Sequence, residues 1–424
     1  MRQNQWPEVK LGDHVDLLSG FAFKSKNFTN NLDDIPLVKG ANVHQGYIDW
    51  EAAVRWPKEE FEDHDKFQLQ ENDVVLAMDR PWIEAGLKYS WIKKGDPKSL
   101  LVQRVSRLRG VNGLSSRYLR YVIGSPQFTS YIKPIVTGVN VPHISGGQIK
   151  DYRFPLPPED YQDSVTDILE AYDNLIENNN RRIGILEEMA KSVYREWFVK
   201  FCFPGHENIK FIDSPLGNIP EGWEVKLLQD TCEMILSGGT PKRKEPTYWK
   251  PEEIPWVKTK ELLDGWVFDT EEKISTTGLN NSSAKLFPEN TILMAIYAAP
   301  TVGRLGVLAV EAACNQAAVG LIPDVKYMDD VFLYYKLLEM RQYFNSLSQG
   351  AAQQNINVGK VKNAPFVLPD RDLIKLFFDY ISPMRKNIRV LSKRNNNLKM
   401  QRDMLLPKVI SGTINIKISK EFAV

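Results

Sequence analysis

Residues 159–203 read EDYQDSVTDILEAYDNLIENNNRRIGILEEMAKSVYREWFVKFCF and contain no proline. Within them apolar side chains recur at steps of four and three: Val165, Leu169, Tyr172, Ile176, Asn179, Ile183, Leu186, Ala190, Val193 and Trp197, with Asn179 the polar member. A shift of 212 positions gives Phe377, Ile381, Met384, Ile388, Leu391, Asn395, Leu398, Arg402, Leu405 and Val409. A stripe of this spacing, sustained over several heptads, keeps one narrow apolar seam facing a partner, as in a coiled coil. A single stripe would suit an amphipathic helix lying on its own domain. Two matched stripes in one chain make the helices each other's partners, with Leu169, Ile176, Ile183, Leu186, Ile381, Ile388, Leu391 and Leu398 along the seam. Asn179 and Asn395 fall at non-equivalent positions, where a buried polar residue helps fix register. Pro383 is expected to kink the second helix or mark its start. About 40 residues at 1.5 Å each make a rod of roughly 60 Å.

Working outward, the whole chain is two copies of one unit. Trp6-Pro-Glu-Val-Lys-Leu aligns with Trp223-Glu-Val-Lys-Leu-Leu, and Ser19-Gly20 with Ser237-Gly238. Ile35-Pro36-Leu37-Val38-Lys39 aligns with Ile254-Pro255-Trp256-Val257-Lys258, and Phe154-Pro155-Leu156-Pro157 with Phe366-Val367-Leu368-Pro369. Asp73 is set against Asn290 at an offset of 217. Each copy opens with about 150 residues of short β-branched runs between Gly, Pro and aromatic turn signals, which reads as mainly β with some helix. Segments 117–133 and 330–347 have helical spacing. The expected fold is therefore α+β: two similar mixed α/β domains separated by a long antiparallel two-helix coiled coil, with approximate two-fold symmetry. The boundaries are a first domain at 1–158, a first spacer helix at 159–203, linker and second domain at 204–369, a second helix at 370–412 and a tail at 413–424.

Composition bounds the function. The chain has 424 residues with 43% hydrophobic and 25% charged positions, an ordinary globular balance. Its most apolar stretch, 291–322, is broken by Pro300, Arg304 and Glu311 and so falls short of the roughly 20 clean residues a membrane helix needs. No signal-peptide pattern opens it, and Cys202, Cys232 and Cys314 are too widely spaced for a disulfide framework, which suits a reducing cytoplasm. A net charge of +1 means that any nucleic-acid surface is a local patch. Catalytic signatures are missing. Ser237–Lys242 lacks the phosphate-loop spacing, there is no dinucleotide GxGxxG or methyltransferase tetrapeptide, and Pro323-Asp324 and Pro369-Asp370 lack the acidic-x-Lys partner of a nuclease. His14, His44, His64, His143 and His206 show no metal-binding spacing.

The arrangement resembles the specificity (S) subunits of Type I restriction-modification systems over essentially the whole chain. The resemblance rests on WPEVKLGD at 6–13 and IPEGWEVKLL at 219–228, and on the turns SGFAFKS and SGGTPKR. It extends to the junction TGVNVPHISGGQIKDYRFPLPPEDYQ at 137–162, the two long helices and LLPKVISG at 405–412. The second junction, SQGAAQQNINVGKVKNAPFVLP, departs by lacking the double proline. The resemblance implies two target-recognition domains, each reading half of an asymmetric bipartite site in double-stranded DNA, and helices that set the gap. It also implies two docked modification (methyltransferase) subunits using S-adenosylmethionine, and restriction subunits using ATP with Mg for translocation and cleavage. No cofactor and no catalytic residue are then expected in this chain. Base readout typically uses Arg or Lys on guanine and Asn or Gln on adenine. The candidates are Lys24, Lys26, Lys39, Asn42, Arg80, Asn140 and His143 in the first domain. In the second they are Thr240, Lys242, Arg243, Lys258, Lys260, Tyr297, Arg304, Gln354 and Asn355. An adaptor that joins proteins through its coiled coil without touching DNA is the competing expectation.

Overall fold

A computed structural model describes residues 6–83, 86–136, 142–297, 301–348 and 355–414. The chain divides into two units, Met1–Ile176 with Asn397–Val424, and Glu177–Asn396. In the first, an antiparallel sheet runs in the order Val15–Ser19, Val105–Gly110, Val74–Ala77, Tyr89–Trp91. A smaller sheet places Ile35–Val38 between Arg55–Trp56 and Leu100–Leu101, with Leu37 parallel to Leu100. The second unit repeats both. Cys232–Ser237, Ala318–Pro323, Ile292–Ala295 and Leu305–Leu308 follow the same order and are extended by Gly265–Val267. Ile254–Val257 again lies beside a parallel partner, with Trp256 opposite Ala313.

The repeat extends to single backbone contacts. Gly20 and Gly238 each press against the backbone at the end of the parallel partner strand. A Cβ at Gly20 would collide with the Val102 carbonyl, and one at Gly238 with the Cys314 carbonyl. The Ser-Gly pairs are thus a steric requirement. One register differs from the sequence alignment: Asn72 and Asn290, with φ of 67° and 68°, occupy the same left-handed turn. Asn290 therefore matches Asn72, and Asp73 matches Thr291, because asparagine tolerates this backbone better than most residues. Each predicted short helix is also a pair, Ser116–Ile123 with Pro126–Ile132, and Asp330–Glu339 with Arg341–Ser348. The first break falls where Ser125 caps a new helix whose first residue is Pro126.

The first long helix spans Glu159–Tyr194 and ends in a π turn at Arg195–Val199, four residues short of the expected 203. The second spans Arg371–Ile410. Pro383 does not mark its start, one of the two expectations for it, since the helix begins twelve residues earlier at Arg371. Its ring lies on the exposed face, and the flanking Ile381 and Ile388 are buried. Losing one backbone bond at proline costs about 3 kcal/mol, and burying two isoleucines recovers about 1.5–3 kcal/mol each. Leu169, Ile176, Ile381, Ile388 and Leu391 are buried, and Ile183, Leu186 and Leu398 half-buried.

Both helices feed both cores. In the first unit Val165, Leu169, Leu406, Val409 and Ile410 join the cluster around Tyr118 and Phe128. There the Tyr161 hydroxyl donates to the Ile414 carbonyl at 2.9 Å, and Arg402 Nη1 to Asp173 Oδ1 at 2.7 Å. In the second unit Ala190, Tyr194, Phe198, Phe377 and Ile381 join the cluster around Phe332 and Phe344. There Asn179 Nδ2 donates to Asn395 Oδ1 at 2.9 Å, and Asn395 Nδ2 to Asn180 Oδ1 at 2.8 Å. The two seam asparagines are partners.

The glycine contacts give a stability prediction. Gly20→Ala and Gly238→Ala should each destabilise by about 1–3 kcal/mol through overpacking, read as a lower urea midpoint. Unchanged midpoints would show that the backbone yields at these sites.

Candidate nucleic-acid interface

In the first unit, the ends of the two sheets enclose a cleft of about 600 Å³. Four cations line it, Lys39, Arg80, Lys88 and Arg104, against one carboxylate, Asp79, with Phe23 and Phe28 in the wall. Lys39 follows the strand Ile35–Val38, and its Nζ lies 5.7 Å from the centre of the Phe28 ring. Asn42 is a turn residue, only 1% exposed. Its Oδ1 accepts from the Lys39 amide at 2.9 Å, and its Nδ2 donates to the Leu37 and Asp49 carbonyls. Asn42 was expected to read bases, but its amide is consumed in holding the turn that carries Lys39. Lys88 donates to the Gly40 carbonyl, and burial pushes its pKa below the usual lysine value.

Arg104 and Arg80 are non-glycine residues with left-handed φ of 67° and 44°. Arg104 is 67% exposed at its side chain and pairs with Asp79 at 2.5 Å. His143 Nδ1 lies 2.6 Å from the other oxygen of the same carboxylate. Burial would raise the Asp79 pKa, but hydrogen bonds from His143 and Arg104 outweigh it and hold the carboxyl below its usual range. Sparsely populated backbone at two cleft arginines is a feature that tends to cluster at functional sites. Lys24 and Lys26 are exposed around the turn Ser25–Asn27, beside the cleft rather than lining it. Asn140 lies outside the described residues, as does Gln354 in the second unit.

Backbone hydrogen bonds match the second unit to this cleft position by position. Val102 N donates to the Val38 carbonyl and Asn315 N to that of Val257, so Lys258 stands where Lys39 does. Ala77 N donates to the Lys88 carbonyl and Ala295 N to that of Arg304, so Arg304 matches Lys88. Met78 N donates to the Arg104 carbonyl and Ile296 N to that of Ala317, which equates Arg104 with Ala317 and, one residue earlier, Gln103 with Gln316. Ile144 N donates to the Met78 carbonyl and Ile356 N to that of Ile296, which equates His143 with Asn355. The residue after Met78 is Asp79, and the one after Ile296 is Tyr297.

Charge is handled differently in the second unit. Lys258 Nζ lies 2.7 Å from Glu272 and 2.8 Å from Glu271, and Lys260 Nζ lies 2.8 Å from Glu271. Arg243 pairs with Glu272, and its guanidinium stacks 3.8 Å from the centre of the Trp249 ring. Lys242 is exposed, and its carbonyl accepts from Trp249 Nε1 at 3.2 Å. Thr240 Oγ1 donates to Gln316 Oε1. Hydrogen bonds from Lys258 and then Lys260 bring the Glu271 pKa down to about 2. Sequence reasoning missed Asp79, Lys88, Gln103, Arg104 and Gln316, together with the acidic pair at 271 and 272. The strand registers would have found Lys88 through its match with Arg304.

A family model described as the Type I restriction modification DNA specificity domain matches residues 3–188 and again 220–400. The chain belongs to this family. It is 25% identical over 311 residues to the Type I restriction enzyme MjaIX specificity subunit of Methanocaldococcus jannaschii, covering 72% of this chain and 71% of that one. To the Type I restriction enzyme EcoBI specificity subunit of Escherichia coli it is 23% identical over 441 aligned positions, 97% of this chain and 86% of the other. The crystal structure of a Type I restriction-modification system S subunit from M. genitalium shares the fold, with a TM-score of 0.58, 12% identity and 98% coverage of each chain. Among the described residues, no helix is long and apolar enough to cross a membrane.

The Glu271 cluster sets a pH dependence. Its depressed carboxylate contributes stability that is complete above the ordinary value of 4.5 and is lost as pH falls toward about 2. Because Glu271 is exposed and screened by solvent, Glu271→Gln should lower the urea midpoint only slightly above pH 4.5 and flatten its decline below. An unaltered pH profile would mean that the lysines find equivalent partners.

Proposed function

We propose that this chain is the sequence-specific DNA-recognition subunit of a Type I restriction-modification complex, each domain reading one half of a bipartite, asymmetric site in double-stranded DNA. The observation that carries this reading is the repeated cleft frame, with Lys39 and Lys88 in one unit and Lys258 and Arg304 at the same backbone positions in the other. Paired cations on a repeated frame suit two stretches of phosphate backbone, which dominate affinity without carrying sequence. A protein-joining adaptor has no use for such a frame.

The long helices form an antiparallel coiled coil that relates the domains by an approximate two-fold axis and fixes the gap between half-sites. Contacts within each unit support this. Along the first helix Tyr161, Asp173, Asn179 and Trp197 meet Ile414, Arg402, Asn395 and Phe377, in falling order. Two modification subunits dock on the chain and hold S-adenosylmethionine, and restriction subunits bring ATP with Mg. The chain itself performs no bond-making step. Its near-neutral charge suits a clamp whose remaining phosphate contacts come from those partners.

Exchanging residues 1–155 for the same segment of a relative should change one half of the methylated motif made by the assembled complex, read by methylation sequencing. A change in both halves would overturn the division of labour. Lys39→Ala should weaken binding uniformly across sequences and reduce the slope of log affinity against log salt by about one. An unchanged slope would remove Lys39 from the phosphate contacts.

A further inference from the structure

The internal repeat is a built-in comparison between two readers that share one frame and differ in what they read. Around the cleft, three equivalent pairs keep their side-chain class, although Lys258 is also ion-paired with Glu271 and Glu272: Lys39 with Lys258, Lys88 with Arg304, and Gln103 with Gln316. Three others change it completely: Asp79 with Tyr297, Arg104 with Ala317, and His143 with Asn355. Groups that contact the phosphate backbone do the same work in both halves and have no reason to differ. Groups that face base edges must differ if the half-sites do.

The geometry points to Asp79–Arg104–His143 and Tyr297–Ala317–Asn355 as the equivalent sets that fix base identity, with Arg104 reading a guanine in one half-site and Asn355 an adenine in the other. This rests on the recognition reading above and adds the residues and bases to it. Arg104 is the sharpest member. Its backbone stands at φ 67°, a conformation that costs an L-residue energy, while its side chain is 67% exposed. The residue is therefore not held there by core packing. Asp79 grips one side of the guanidinium and is itself gripped by His143. A fork so tethered is oriented before it meets DNA, and its free donors match O6 and N7 of guanine. In the second unit this fork is absent because Ala317 carries no donor, and the place of His143 is taken by Asn355, the residue type whose amide matches N6 and N7 of adenine.

The test uses the full chain co-expressed with its modification subunits, with the methylated motif determined by sequencing. Arg104→Gly suits the left-handed backbone, so folding is preserved and is checked by the melting midpoint. It should lower discrimination for guanine at a single position of one half-site by at least about tenfold, leaving the other half-site as it was. Asn355→Ala should relax one adenine in the opposite half-site. The combined Tyr297→Asp, Ala317→Arg and Asn355→His exchange should bring the first half-site's guanine into the second. A uniform fall in methylation with an unchanged motif, from a folded Arg104→Gly chain, would make Arg104 a phosphate contact and overturn the assignment. If the unaltered chain directed no sequence-specific methylation, the recognition reading itself would fall, before any variant was compared.

Discussion

Neither β unit closes its core alone, and this dependence on the two long helices organises everything else. The sheets of the first unit are covered by Val165 and Leu169 from one helix and by Leu406, Val409 and Ile410 from the other. Those of the second are covered by Ala190, Tyr194 and Phe198 together with Phe377 and Ile381. Each fully buried side chain of this size contributes about 1.5–3 kcal/mol, so a unit stripped of its helical segments would lose a large share of a typical domain's stability. The apolar stripe thus serves two ends at once, joining helix to helix and helix to sheet.

Electrostatics operate on a smaller scale. With 54 basic and 53 acidic residues the chain has no global field to attract a polyanion, so attraction must be concentrated. The first unit concentrates it by placing four cations against one carboxylate. The second compensates Lys258, Lys260 and Arg243 with Glu271 and Glu272, which orders three flexible side chains at the expense of net charge. Surface pairs of this kind add little stability, and their value lies in orientation.

The long helices and the duplication were legible because period and repetition survive in the sequence whatever the tertiary detail. Pro383 does not open the second helix, because the turns before it already bury Ile374, Phe377 and Ile381. The turn at Asn290 was misplaced by one residue because φ is not written in residue type alone. Among candidate readers, Lys39, Arg80, His143, Lys258 and Arg304 could be chosen as polar residues near turns, and of these Arg80 is exposed and the others half-buried. Asn42 met the same criterion and is buried, because one amide in a tight loop satisfies three backbone groups. Lys88 and Arg104 escaped notice because only strand pairing brings residues so far apart in sequence to one cleft.

The hydrogen-bonded trio Asn179, Asn180 and Asn395 has a further consequence. Were one helix to slip along the other by a heptad, Asn395 would move from Asn179 to face Leu186 or Tyr172, an apolar or aromatic side chain in place of an amide. Each stranded buried amide costs about 1–3 kcal/mol, so a slipped pairing is disfavoured even though leucine and isoleucine would pack almost as well in either alignment. Hydrophobic contacts alone are indifferent to such a shift. A few polar atoms among apolar side chains are what single out one alignment of the two helices from its neighbours.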